Sequence, residues 1–245
     1  WAKWKADPEP DAGPPPPFTP ADQQRGYAVY SRHYLECVYP HTRPRPEDFA
    51  APIRLFATLD EYEPANLVLY PLKDMQGVKV KVSAIGPVPT ASIDVRRVRF
   101  LRARPNYTTQ HRYRVVPDVL EQFNTLDLKA GENTRLWLTV HVPKDAPAGT
   151  FTGQVTVTSG ASTTTVPLTL RILPIRLRDD PGKMFGIYYR HPYDLMAGAS
   201  DEVSREYFRH RAELEHADMV AHGTRNVVLS VSSGTADAQG NFKFN

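Results

Sequence analysis

The residues best suited to binding chemistry gather near position 190. Tyr188, Tyr189, Arg190, His191 and Tyr193 lie at or just beyond the end of a short apolar run, Met184–Tyr189 (MFGIYY). Ser230, Ser232 and Ser233 lie at the end of a second run, Asn226–Val231 (NVVLSV). Aromatic rings offer flat faces to sugar rings, and arginine, histidine and serine hydrogen-bond hydroxyls or carboxylates. If both runs are parallel strands, their carboxyl ends share one rim, where ligands bind in α/β sheets and barrels. Tyr189, Arg190, His191 and Ser232 are therefore the candidate substrate-binding residues. A tyrosine on such a strand can equally fill a core, so Arg190 and His191 carry most of this assignment.

Acid–base chemistry has no comparable focus. Two adjacent carboxylate pairs occur, Asp60-Glu61 and Asp201-Glu202. Paired carboxylates serve glycoside hydrolysis, but turn preference explains the first pair and helix-start preference the second. No P-loop, G-x-G-x-x-G, H-E-x-x-H, G-x-S-x-G or EF-hand pattern is present. His210, His216 and His222 are six apart and face different ways on a helix, so no metal site is expected. The single cysteine, Cys37, excludes an internal disulfide and a cysteine-based zinc or iron–sulfur centre within the chain. No cofactor is expected.

Arg96, Arg97, Arg99, Arg102, Arg104, Arg112 and Arg114 form a basic segment with Phe100, Tyr107 and Tyr113. Such a segment can hold a polyanion. The reading preferred here is the wet face of two strands, balanced by acids elsewhere. A net charge of only +3 does not call for a nucleic-acid partner.

The elements that would position these residues fall into two grammars. From Ala130 to Ile175, three runs alternate with period two: Arg135–Val142, Phe151–Thr158 and Thr165–Ile172. Leu136, Leu138 and Val140 share one face, with Trp137, Thr139 and His141 opposite. Phe151, Gly153, Val155 and Val157 do the same in the second run, and Val166, Leu168, Leu170 and Ile172 in the third. Alternation bounded by Pro, Gly, Asp and Ser marks antiparallel strands with one wet face, here read as a three-strand meander. Upstream, strands are expected within Gly26–Pro40, at Ile53–Leu59, at Ala65–Leu72, after Gly77 (VKVKVSAI) and through IDVRRVRFL. Pro117–Leu128 is ambiguous between loop and short helix. About eight to ten strands before residue 175 suit an all-β sandwich.

After Ile175 the pattern changes. LRDDPGK is a turn-rich linker. Ser200 can cap a helix carrying Asp201 and Glu202 in its first turn. Val203, Tyr207, Arg211, Leu214, Asp218 and Ala221 follow helical spacing, and Phe208, Met219 and Val220 widen the apolar side. His222-Gly223 ends it. Strand, helix, strand is a βαβ unit with a parallel sheet. Two strands and one helix cannot cover both faces of a sheet, so either the unit leans on the sandwich or the sheet continues beyond Asn245.

Residues 1–24 hold four consecutive prolines, Pro14–Pro17, and read as an arm or linker in polyproline II. The expected division is therefore an arm at 1–24, a sandwich at 25–177 and an α/β segment at 178–245. No run approaches the roughly 18 apolar residues of a membrane span. A chain opening on Trp1 reads as processed or trimmed. Nothing in the sequence sets an oligomeric state.

The runs LWLTVHVPKDAPAGTFTGQVTVT, VPLTLRILPIRL and FGIYY, with ELEHADMVAHGTRNVVL, resemble the glycoside hydrolase family 123-like proteins, as does LDEYEPANLVLYPLKDMQGVKVKVSAI before them. The resemblance spans roughly residues 50–245. It implies a mostly β chain, with an antiparallel β-sandwich leading into the first βαβ unit of a (β/α)8 barrel. It also implies hydrolysis of a β-linked N-acetylhexosamine, assisted by the substrate's own acetamido group and by an adjacent Asp-Glu pair late in the barrel. That pair would lie beyond Asn245, so this 245-residue piece alone is expected to be inactive. The implied partner is a glycan substrate and the implied compartment extracellular or periplasmic. A non-catalytic carbohydrate-binding module or a structural assembly protein are the alternative expectations, with Trp137 as the probe of glycan binding.

Overall fold

The computed structural model describes residues 4–50, 52–104, 112–178, 180, 182–183, 186–189, 192, 198–224, 226–228, 234–236 and 242–244. The chain divides into two compact units, Trp1–Leu177 and Arg178–Asn245.

The first unit is built from β1 (Lys5–Ala6), β2 (Tyr27–Tyr30), β3 (Ile53–Leu59), β4 (Tyr62–Pro71), β5 (Met75–Val82), β6 (Ile93–Ala103), β7 (Arg112–Glu121), β8 (Leu126–Leu128), β9 (Thr134–His141), β10 (Gly149–Ser159) and β11 (Ser162–Arg176). Short helices α1 (Pro20–Arg25) and α2 (Pro46–Ala50) flank β2. One sheet runs β1-β7-β6-β9-β4-β2 and the other β3-β11-β10-β5-β8. Leu67, Leu69, Leu136, Leu138 and Val140 from the first sheet meet Leu55, Val78, Val155, Val157, Leu168 and Leu170 from the second in one core. Two sheets closed on one core make a sandwich, in which each fully enclosed Leu or Val contributes about 1.5–3 kcal/mol of apolar burial.

The alternation read in the sequence sets which residues enter this core. It does not set which sheet a strand joins. The stretch from Ala130 to Ile175 is not a meander: β9 pairs with β4 and β6, whereas β10 pairs with β5 and β11. The chain changes sheets after Val142, because either sheet offers the apolar side of β9 an equivalent partner. Pro117–Leu128 is neither loop nor helix throughout. β7 continues to Glu121, β8 follows, and Pro117 sits opposite Phe100 beside an irregularity in the β6–β7 ladder. β1 pairs β7 only at Arg112 and Tyr113, so the edge at Pro117 has no described partner to miss its N–H. Within Gly26–Pro40 only Tyr27–Tyr30 is a strand; the following residues form a loop.

That loop closes a second, smaller core over the outer face of the first sheet, where Tyr30, Val38 and Val68 are buried against Phe49 and Tyr70. Polar side chains pin it. Tyr30 donates to Asn133 Oδ1 at 2.8 Å, and Asn133 donates to the carbonyls of Tyr39 and Thr42 at 3.0 and 2.8 Å. Arg135 donates to Asn66 Oδ1 at 3.1 Å and to the Tyr34 carbonyl at 2.8 Å. Burial drives the Tyr30 phenol upward and holds the Arg135 guanidinium below its ordinary value. Buried polar groups each need such partners.

The N-terminal segment lies along the same unit. β1 pairs in parallel with β7, Asp7 takes ion pairs from Arg112 and Arg114, and Phe18 stacks on Tyr70 with centroids 5.4 Å apart. Thr19 and Asp22 form a reciprocal capping box at the start of α1.

In the second unit, β12 (Gly186–Tyr188) pairs in parallel with β13 (Asn226–Val228), and α3 (Glu202–Ala221) connects them. β14 (Gly234–Ala236) and β15 (Phe242–Phe244) form an antiparallel pair. The helix cap is Asp201 and not Ser200: Asp201 Oδ1 accepts the Ser204 N–H at 2.8 Å. A carboxylate is the better acceptor at the positive helix end. The covered side of α3 overlaps the expected apolar side only at Phe208 and Met219. Val203, Tyr207, Leu214 and Val220 are exposed, whereas Ala212 is buried and Phe208, Glu215 and Met219 are partly covered.

Candidate functional site

Tyr189 directly follows β12, at its carboxyl end. Its hydroxyl donates to Glu215 Oε2 on α3, and its ring lies 5.9 Å from that of His216 at 54°. Arg211, one turn earlier on the helix, donates to the other oxygen of Glu215 at 2.5 Å. Burial, then the hydrogen bond to the Glu215 carboxylate, push the Tyr189 phenol up to about 12. The phenol is therefore a neutral, fixed donor at physiological pH, with its orientation set by the helix. Arg190, His191 and Ser232 lie outside the described residues, as do Tyr193, Ser230 and Ser233. The involvement of Arg211 and Glu215 was not anticipated; their i, i+4 spacing was the available signal.

The two carboxylate pairs have structural employment. Asp60 occupies the β3–β4 turn with φ 64°, bonding His141 Nε2 at 3.2 Å and Arg176 at 2.5 Å. The Arg176 and His141 hydrogen bonds hold its carboxyl below the ordinary value. Tyr62 stacks on His141 with centroids 4.1 Å apart. Glu61 accepts the Thr58 N–H at 2.5 Å and closes the turn. Asp201 caps α3, and Glu202 pairs with Arg205 and Arg209. Neither pair opens into a shared catalytic geometry.

The basic segment on β6 and β7 is laced to acids. Arg96 pairs with Asp94, Arg97 and Arg99 with Glu121, and Arg112 and Arg114 with Asp7. Arg102 lies over Tyr113 at 5.3 Å and Arg104 over Trp4 at 5.7 Å. Among the described residues, no group of three or more His, Cys, Asp or Glu side chains could hold a metal ion. No described helix is long and apolar enough to cross a membrane.

A two-sheet sandwich, then a strand–helix–strand unit with parallel pairing, is the class of fold these geometries define. Within it, residues 67–159 match the family model of the glycoside hydrolase 123 N-terminal domain. Those residues run from the middle of β4 to the end of β10, so the matched sequence belongs to the sandwich. Among solved structures, the chain is similar to a family 123 glycoside hydrolase from Clostridium perfringens described for glycolipid glycan hydrolysis. The TM-score is 0.67 and the identity 13%, over 89% of this chain and 43% of that one. At that identity the likeness is one of fold, and the chain spans less than half the length of that enzyme. A CooA pilin subunit from enterotoxigenic Escherichia coli aligns over 62% of the chain, at 13% identity and a TM-score of 0.33. A FixG-related protein from Vibrio parahaemolyticus aligns over 60%, at 11% identity and 0.29. No curated protein matches the chain.

Proposed function

We propose that this chain is the N-terminal portion of a glycoside hydrolase that cleaves a β-linked N-acetylhexosamine from a glycan. The observation that carries the reading is the match of residues 67–159, on the sandwich, to the glycoside hydrolase 123 N-terminal domain. In this reading residues 1–24 are an arm, 25–177 a sandwich that braces its neighbour, and 178–245 the first βαβ unit of a (β/α)8 barrel. The parallel pairing of β12 with β13 across α3 supports that last assignment. Barrel enzymes bind substrate beyond the carboxyl ends of their strands. Tyr189, Arg190, His191 and Ser232 then line one sector of the substrate rim, with the Tyr189 ring fixed from behind by Glu215. The catalytic carboxylates belong to sequence following Asn245, in keeping with the 43% coverage of the Clostridium enzyme. A glycan substrate of this kind suits an exported protein, extracellular or periplasmic.

The test is hydrolysis of an aryl β-N-acetylhexosaminide by a longer form of the protein and by residues 1–245. Turnover by the longer form alone is expected. Turnover by the 245-residue chain, abolished by changing Asp201 and Glu202, would overturn the placement of the catalytic groups.

A further inference from the structure

The sandwich has an open flank. β2 pairs with only the second half of β4, from Val68 to Pro71, so among the described residues the first half of β4 has no strand partner on that side. β3 is the edge strand of the other sheet. Between β3, β4 and the loop after β2 lies a slot of about 270 Å³. Ile53, Leu55 and Ala65 line its apolar inner part, and Tyr34, Phe56, Arg54 and Glu63 are on its walls.

Two features separate this slot from a packing defect. First, two of its charged groups are unspent, while a third, Arg32, is paired with Asp48. Glu63 is half-buried, and neither it nor Arg54 has a hydrogen bond or ion pair among the described residues. Glu63 has the parity of Ala65, Leu67 and Leu69, which all enter the core. A carboxylate there is held partly out of water without a cation, and burial followed by the nearby Glu61 raises it above its ordinary value. Such a group costs stability unless something binds it. Second, the walls are fixed. Arg135 bonds the Tyr34 carbonyl at 2.8 Å, Ser31 bonds the Asn66 carbonyl at 2.9 Å, and the Tyr34 ring is wedged between His33 at 4.5 Å and Trp137 at 6.1 Å. Phe56 is 66% exposed, so its ring is open to a ligand.

We infer that this slot binds one neutral pyranose ring of a glycan chain, with Phe56 and Tyr34 against the ring's C–H faces and Glu63 and Arg54 on its hydroxyls. A hydroxyl donates to a carboxylate and accepts from a guanidinium, so a neutral polyol satisfies both groups, which an anion or a cation alone does not. The volume suits one ring and is too small for an extended peptide. The site is non-catalytic and stands apart from the hydrolytic reading, since it uses only sandwich residues.

The test is saturation-transfer NMR and calorimetry on the 245-residue chain with chitotriose, cellotriose and a heparin fragment. Binding of either neutral trisaccharide is expected, weakened at least about tenfold in Phe56→Ala and in Glu63→Gln, and unchanged in Lys79→Ala on β5, outside the slot. Glu63→Gln keeps the shape of the slot and relieves a buried charge, so loss of binding in it is not a folding defect. No binding of either neutral trisaccharide, binding of heparin alone, or binding that survives both slot substitutions would each overturn the inference. Hydrolysis is not read in this experiment, so its failure leaves the enzymatic proposal standing.

Discussion

Arg32 and Asp48 form an ion pair at 2.7 Å in which the two side chains are only 2% and 4% exposed. Arg32 also donates to the Arg43 carbonyl, and Asp48 accepts the Arg45 N–H, so both charges are hydrogen-bonded as well as paired. The pair ties the start of the long loop after β2 to α2, and that loop supplies one wall of the slot.

Removing one member leaves a buried charge without its partner, which costs about 3–5 kcal/mol. Asp48→Ala is expected to lower the unfolding free energy by that amount in urea titrations. Replacing both residues with apolar ones of similar volume is expected to recover most of the loss. A loss below about 1 kcal/mol for Asp48→Ala would mean that water reaches Arg32.

Asp60 gives a stability term with a defined sign. Its folded pKa lies below the ordinary 3.8, first through Arg176 and then through His141. Its contribution is therefore present above pH 3.8 and lost as pH falls through the folded value. Asn tolerates the left-handed backbone at φ 64°, so Asp60→Asn removes the charge without straining the turn. Thermal melts should show the variant less stable than the wild type at pH 6, with the gap closing below pH 3. A constant gap across that range would assign the effect to shape instead of charge.

Glu63 carries the opposite sign. Its pKa is raised above the ordinary 4.5 by burial and then by Glu61. The favourable term is present below pH 4.5 and lost as pH rises through the folded value. Glu63→Gln should therefore raise the melting temperature at pH 7 and leave it unchanged near pH 3.5. A destabilised variant at pH 7 would show that the carboxylate has a cationic partner in solution.

Much of this was legible in the sequence. The inward sets Leu136, Leu138 and Val140, and Leu168, Leu170 and Ile172, follow from period two alone, because a pleated strand leaves no other way to bury them. The sheet that β9 joins was not legible, since its apolar side fits either layer. On α3 the apolar stripe of Val203, Tyr207 and Leu214 was plain, yet the covered side includes Glu215, whose partner Tyr189 is 26 residues away. Spacing along a helix cannot show a partner on another element. The slot left one trace: Glu63 is a charge on the parity of Ala65, Leu67 and Leu69. That signal is visible in the alternation of β4, but its meaning depends on β3 and the loop standing opposite.

The hydrolytic proposal meets its most direct test in paired substrates given to a longer form of the protein that continues past Asn245: an aryl β-N-acetylhexosaminide and the matching aryl β-hexoside. Participation of the substrate's acetamido group predicts cleavage of the first and none of the second. Equal cleavage of both, or of neither, would contradict the account.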